Sequence, residues 1–206
     1  TYDVLPGDMS ATDALAFFAV VNKDALYCAK TEEDGVLIAN SEGPMAFWHM
    51  MLAGLIYGSY DGEYEVTEVS GVNVGSSSYS DTAAFNFLTL GENCNMLGWG
   101  SDSIYEISGK NILLFGEIGP DGSSNGGFVN YAALKPLNAY NVDNKLDDGV
   151  PNSGIILADH ANDVGFSEQC TSDTQSARYY TSSDGTLSYM ATNDYAACRM
   201  MFIMDF

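Results

Sequence analysis

The spacing of apolar residues changes near residue 60, and this change most constrains the fold. Before it, apolar side chains recur at three- and four-residue steps at Met45, Trp48, Met51, Leu52 and Leu55. This spacing predicts an amphipathic helix over residues 43–58 that packs on a sheet. After it, short apolar runs at residues 85–90 and 112–118 are punctuated by Gly, Ser, Asn and Asp, which is typical of strands. Helices followed by an antiparallel sheet predict an α+β fold.

Local signals place the remaining elements. A first helix over residues 13–21 is expected to be capped by Ser10 or Thr12. A further helix over residues 136–146 has Pro136 in its first turn, and a short strand follows at 154–158. At the end of the chain, large apolar residues alternate with others from residue 199 to residue 206. This alternation predicts a last strand with one apolar face that closes the sheet.

Length and composition indicate one globular domain over residues 1–206, with a mainly helical part at 1–58. Residues 59–206 are expected to hold the sheet, the loops and a cysteine-bounded region. A hydrophobic fraction of 46% excludes a disordered chain. The chain has 28 acidic and 7 basic residues, a formal charge of −21. Such a field repels phosphate groups and anionic lipids, which argues against nucleic acids and membrane surfaces as partners of this domain.

The four cysteines are Cys28, Cys94, Cys170 and Cys198. They show no C-x-x-C spacing, which argues against a zinc site or a thioredoxin-like motif. An even count in an acidic, lysine-poor chain indicates two disulfides and an oxidising compartment. The spacing leaves all three pairings open, and four buried reduced thiols are the alternative.

An acidic cluster forms the candidate metal site: Asp143, Asp147 and Asp148, beside Gly149 and Asn152. Hard oxygen ligands at short spacing suit calcium, and a cation would offset the mutual repulsion of the carboxylates. The alternative is structural. In it, Asp147 and Asp148 accept hydrogen bonds from backbone amides in a turn, and Gly149 takes a positive φ.

Catalysis finds little support in the sequence, so we expect no enzyme activity. The two histidines, His49 and His160, are far apart, and no nucleophile-elbow, phosphate-binding or zinc-protease motif is present. His49 is expected to be either a partly exposed histidine or a core histidine whose hydrogen bonds are satisfied, and not a general base. An acid hydrolase that uses two carboxylates is the last of the alternatives.

Three stretches resemble the type IV pilin and type II secretion pseudopilin family. They are residues 2–9 (YDVLPGDM), 47–56 (FWHMMLAGLI) and 139–154 (AYNVDNKLDDGVPNSG). A segment bounded by Cys170 and Cys198 before a last strand is similar to the disulfide-closed loop of many pilins. The resemblance implies a pilin-like head whose N-terminal helices pack on an antiparallel sheet, with a Cys170–Cys198 disulfide. A second bridge, Cys28 to Cys94, is expected to tie the helical part to the sheet, although these cysteines are not part of the family pattern.

The resemblance also implies a function. Such a chain is a structural subunit of an extracellular pilus or pseudopilus filament, and its partners are copies of itself and other pilin-like subunits. Contact with the membrane is expected only through a hydrophobic N-terminal helix that this sequence lacks. The alternative is a secreted calcium-dependent adhesin or a carbohydrate-binding module.

Overall fold

The computed structural model describes residues 5–19, 37, 42–63, 69–89, 109–119, 129, 131–161, 169–172 and 186–204. In these ranges the helices are α1 (Ala11–Phe18), α2 (Glu42–Leu52) and α3 (Pro136–Leu146). The strands are β1 (Gly75–Ser76), β2 (Ala83–Thr89), β3 (Asn111–Glu117), β4 (Ile156–His160) and β5 (Cys198–Met204). The fold is α+β, as predicted. The strands expected at 85–90, 112–118 and 154–158 correspond to β2, β3 and β4, with ends that differ by one or two residues.

The ends of two helices follow the local signals in the sequence. The Ser10 hydroxyl caps α1 by accepting a hydrogen bond from the Asp13 N–H at 3.1 Å. Helix α3 begins at Pro136, whose fixed φ suits a first helical position, and it ends at Leu146 with Asp147 as its C-cap. Both bounds of α3 therefore match the prediction.

Helix α2 is shorter than its apolar spacing predicts. It ends at Leu52, so Leu55 lies beyond the helix, and both of these side chains are exposed. Met45 is buried, whereas Trp48 and Met51 are half-buried. The predicted stripe is therefore only partly a core face.

The sheet contact of α2 comes from a residue between the stripe positions. The Phe47 ring is buried, and its centroid lies 4.9 Å from that of Phe87 on β2 and 5.5 Å from that of Tyr60. An aromatic cluster of this kind buries a large apolar area. Phe47 therefore docks α2 on β2.

The sheet has the order β1-β2-β3-β5-β4, and all neighbouring strands are antiparallel. Strand β5, the last of the described strands along the chain, lies inside the sheet. Its residue Met200 is opposite Phe115 of β3 on one side and Ala158 of β4 on the other. The predicted last strand is therefore present, but it is inserted between two strands and does not close the sheet.

Both faces of β5 are buried over Cys198–Met201, the first half of the strand. Met201 belongs to an apolar cluster with side chains from β2, β3 and β4. On the opposite face, Met200 belongs to a second cluster that includes Ala139 of α3. The alternation in the sequence predicts only one buried face. That prediction is wrong for the first half of β5, because an inner strand covered on both sides has no solvent face.

A disulfide joins Cys170 to Cys198 at the start of β5, with an S–S distance of 2.02 Å and both residues buried. The pairing implied by the family resemblance is confirmed. Next to the disulfide, Thr171 forms an antiparallel bridge with Tyr189. The disulfide therefore also helps to hold the segment that contains Tyr189. Cys28 and Cys94 lie outside the described residues. A structural disulfide indicates a compartment other than the reducing cytoplasm.

A buried ion pair links β5 to β4. Arg199 and Asp159 are opposite in register, and Nε and Nη2 of Arg199 donate to the two carboxylate oxygens of Asp159 at 2.7 and 2.9 Å. The side chains are 0% and 2% exposed. Burial raises the pKa of Asp159, and the guanidinium opposes this shift. Because a guanidinium in a protein is a permanent cation, a neutral Asp159 would leave a buried charge without a counterion, so the geometry fits an ionised pair.

Breaking this pair on one side should be costly. We expect Asp159→Asn to lower the free energy of unfolding by about 3–5 kcal/mol, because it leaves the Arg199 charge uncompensated. The double variant Asp159→Leu/Arg199→Met should lose much less, because no charge remains. Urea unfolding at pH 7 measures both.

The exposed pair Lys135–Asp194 is the matched control. Its atoms are also 2.7 Å apart, but its side chains are 47% and 91% exposed. Lys135→Ala should therefore change the free energy of unfolding much less than Asp159→Asn does, because solvent screens an exposed pair. Equal losses for Asp159→Asn and Lys135→Ala would contradict the role of burial.

Candidate metal centre

The end of α3 brings three carboxylates together. Asp143 and Asp147 are four residues apart, which places them on the same side of the helix end, and Asp148 follows at once. One oxygen from each carboxylate can be chosen so that all three lie within 4.8 Å of one another. Asp143 is buried, Asp147 is half-buried and Asp148 is exposed. The predicted cluster is therefore assembled in space, with its deepest member inside the fold.

Asp143 anchors the cluster to the rest of the fold. The Tyr189 hydroxyl donates to its Oδ2 at 2.7 Å, and the Gly149 N–H donates to its Oδ1 at 3.1 Å. Tyr189 is 46 residues away in the chain and comes from the segment held by the disulfide. The buried carboxylate therefore has a hydrogen bond on each oxygen.

Asp147 and Asp148 organise the turn after α3. Oδ2 of Asp147 accepts from the N–H groups of Ile155 and Ile156 at 2.5 and 2.8 Å. Oδ1 of Asp148 accepts from the Val150 N–H at 2.8 Å. These bonds satisfy backbone N–H groups of the turn and of the start of β4. The structural prediction for the two residues is confirmed.

Two glycines make this turn possible. Gly149 has a φ of +76°, as predicted, and Gly154 has a φ of +77°. A Cβ on residue 154 would overlap the carboxylate of Asp147, so only glycine lets this side chain reach the backbone of β4. The amide oxygen of Asn152 accepts from the Leu187 N–H at 3.0 Å, so it serves a different contact.

The electrostatics of the cluster favour a cation. Burial raises the pKa of Asp143, hydrogen bonds from Tyr189 and Gly149 lower it, and the neighbouring charges of Asp148 and Asp147 raise it further. The cluster also sits at the C-terminal end of α3, where the helix dipole is negative. Three carboxylates at this end repel one another and the helix terminus.

The donor set can hold a metal ion. Each carboxylate oxygen has two lone pairs, so oxygens that already accept a backbone N–H keep acceptor capacity for a cation. Oxygen ligands alone fit hard divalent ions and not zinc or copper, which prefer nitrogen and sulfur. The sequence therefore identified all three candidate ligands. Tyr189, which holds Asp143 in place, was missed because nothing distinguishes it among 13 tyrosines.

The other residues singled out in the sequence lie away from a common site. His49 is a buried histidine on α2 whose Nδ1 accepts from the Gly7 N–H at 3.1 Å, so of the two expected alternatives the core histidine is the one observed. His160 is on β4, and its Nδ1 accepts from the Cys170 N–H at 2.7 Å. Each ring is therefore used to hold backbone from a different part of the chain.

Comparison of the chain with protein-family models, curated proteins and solved structures gives no match. The family likeness consequently rests on the three stretches quoted from the sequence. Among the described residues, no helix combines the length and the apolar character needed to cross a bilayer.

The pKa of Asp143 predicts a pH dependence of stability without metal. Because the folded state raises this pKa, the folded protein takes up the proton first as the pH falls. Stability from this group is therefore present at low pH and is lost as the pH rises through the folded-state pKa. In EDTA, the free energy of unfolding of the native protein minus that of Asp143→Asn should increase from pH 7 to pH 4. Urea unfolding measures it.

Asp148→Asn, in the exposed member of the cluster, is a second variant for this difference. It removes one of the neighbouring charges that raise the pKa of Asp143, so its stability should depend on pH less steeply than that of the native protein. The difference in the free energy of unfolding between the native protein and Asp143→Asn could instead stay constant or decrease toward pH 4. Either result would contradict a raised pKa for Asp143.

Proposed function

We propose that this chain is the globular head of a subunit of a pilin-like extracellular filament, with a structural role and no chemistry of its own. The observation that carries the proposal is the use made of residues 139–154, the longest of the family-like stretches. Asp147, Asp148 and Gly149 build a turn that fastens α3 to β4. Such a role fits a structural element of a filament subunit better than an active site.

A contact between the other two family-like stretches supports the same proposal. The Gly7 N–H, from residues 2–9, donates to His49, from residues 47–56. A Cβ on residue 7 would overlap the carbonyl oxygen of Glu42, so the glycine is needed for this close approach. The residues that carry the likeness therefore act together in packing.

The stabilisation of the globular head by its disulfide also supports a filament role. The Cys170–Cys198 disulfide closes a separation of 28 residues onto an inner strand. In the loop-entropy model such a link stabilises a fold by about 3–4 kcal/mol. A subunit displayed outside the cell, without access to chaperones, benefits from a covalent tie of this kind.

For the metal centre we propose calcium as the bound ion. Calcium accepts six to eight oxygen ligands in flexible geometry, whereas magnesium requires a nearly ideal octahedron and gives up its water reluctantly. The three carboxylates of the cluster are fixed by hydrogen bonds to the turn, which leaves little freedom to form an octahedron. Extracellular calcium is abundant enough to fill a site of modest affinity.

Calcium should raise the melting temperature, and EDTA should reverse the effect, because an ion that binds only the folded state stabilises it. At 1 mM, calcium should give a larger shift than magnesium. Asp147→Asn should remove most of the shift, whereas Asp194→Asn, in an exposed residue outside the cluster, should keep it. Differential scanning fluorimetry measures the melting temperatures of the native protein and of the two variants with calcium, with magnesium and with EDTA. No shift with either ion, or an equal shift in Asp147→Asn, would retire the calcium site.

The filament role is tested with the complete gene product expressed in its native cells. Antibodies raised against residues 1–206 should label filaments on the cell surface, and shearing should release the chain as polymers that sediment. A second measurement is cross-linking of the sheared fraction, which should give a ladder of multimers. Recovery of the chain only as a monomer in the medium would contradict the proposal.

One observation favours the alternative, a calcium-dependent adhesin or carbohydrate-binding module. Tyr140 is 36% exposed, and its ring lies against the acidic turn, 3.2 Å from the position of a Cβ on Gly149. An amphipathic aromatic ring beside a cation suits the face of a sugar. A secreted monomer that binds a glycan array only with calcium, and loses binding in Tyr140→Ala, would select this alternative.

A further inference from the structure

The two histidines of the chain hold backbone in the same way. Nδ1 of His49 accepts from the Gly7 N–H across 42 residues, and Nδ1 of His160 accepts from the Cys170 N–H across 10 residues. Both side chains are buried. An imidazole that accepts at Nδ1 must be neutral and carry its proton on Nε2. Each contact therefore exists only while the ring is unprotonated.

His49 joins three parts of the N-terminal region. It belongs to α2, it bonds Gly7 of the segment 5–10, and its ring stacks on Phe18 of α1 with centroids 5.7 Å apart. The ring lines a small apolar cleft with Pro6, Met9, Phe18, Met50, Ala53 and Leu55. The side chain is 1% exposed. A positive charge on this ring would lie in apolar surroundings.

Among the described residues, the charged groups on the elements around His49 are acidic. They are Asp8 on the segment 5–10, Asp13 on α1, Glu42 on α2, and Asp61 and Glu63 after α2. Burial is the cause that lowers the pKa of His49, to about 4. Acidic neighbours therefore do not compensate the loss of solvent around the ring.

We propose that His49 is an acid-operated latch whose protonation releases the segment 5–10 and α1 from α2 while the sheet stays folded. Protonated imidazole has two N–H donors and no acceptor, so Nδ1 can no longer accept the Gly7 N–H. The charged ring also loses its apolar stacking on Phe18 and favours a solvated, open arrangement. This device does not depend on the proposed filament role.

The His160 contact differs in one respect. The backbone that it holds is already tied to β5 by the Cys170–Cys198 disulfide. Loss of the hydrogen bond to Cys170 therefore cannot release that segment. Loss of the hydrogen bond at Nδ1 would therefore release a segment at His49 and none at His160.

The pH window follows from the two states of the latch. In the open state His49 has its ordinary pKa of 6.5, and in the closed state its pKa is about 4. The closed state is therefore fully favoured above pH 6.5 and loses stability as the pH falls toward 4. Over this range the ratio of open to closed molecules should rise by about two orders of magnitude.

Hydrogen exchange followed by NMR tests the latch. After correction for the intrinsic effect of pH, protection of the Ala14 and Ala19 amides in and after α1 should fall about 100-fold from pH 7 to pH 4. The Met201 amide in β5 should keep its protection. In His49→Gln, whose amide oxygen can still accept from Gly7, α1 should stay protected at pH 4. His160→Gln should behave like the native protein at α1.

A direct titration keeps the proposal falsifiable if His49→Gln does not fold. In the native protein, the His49 Cε1–H resonance should titrate below pH 5, and the Gly7 amide shift should move at the same pH. The proposal is overturned if His49 titrates near pH 6.5 with Gly7 unaffected. It is also overturned if α1 keeps its protection at pH 4, or if α1 and β5 lose protection together.

Discussion

The first four residues of strand β5 are buried on both faces of the sheet, and each of them makes a different contact. Cys198 forms the disulfide, Arg199 pairs with Asp159, and Met200 and Met201 enter the two apolar clusters on opposite faces. A guanidinium can lie at this depth only because its counterion is opposite in register on β4. The packing of α3 on one face and the pairing of β3 with β4 through β5 both depend on this strand.

The same strand connects the covalent tie to the acidic turn. Cys170 is bonded to Cys198, the next residue Thr171 pairs with Tyr189, and the Tyr189 hydroxyl holds the buried Asp143. The distance from disulfide to candidate metal centre is therefore spanned by a short chain of specific contacts. We infer that the oxidised state of the cysteines and the order of the acidic turn are coupled.

Local signals were sufficient for some features. Pro136 and the Asp-Asp-Gly sequence after residue 146 fixed the bounds of α3, and clustered carboxylates identified the candidate ligands. These signals act over a few residues, so they can be seen in one sequence. The interior position of β5 could not be predicted, because strand order depends on contacts between distant segments.

Long-range polar contacts could not be predicted from the sequence either. The contacts of Gly7 with His49, Asp159 with Arg199 and Asp143 with Tyr189 span 42, 40 and 46 residues. Alternation even placed Arg199 on the wrong kind of face, because a polar residue is expected in solvent unless its partner is known. Such pairs can be found only once the fold brings their elements together.

The coupling of β5, the disulfide and the acidic turn is tested most directly by the calcium affinity of two forms of the protein. Isothermal titration calorimetry at pH 7 would compare the oxidised protein with the folded double variant Cys170→Ser/Cys198→Ser. We expect the variant to bind calcium about tenfold more weakly, because Tyr189 no longer holds Asp143 firmly and a hydrogen bond to a charged group is lost. Equal affinities, or no binding by the oxidised protein, would contradict the account.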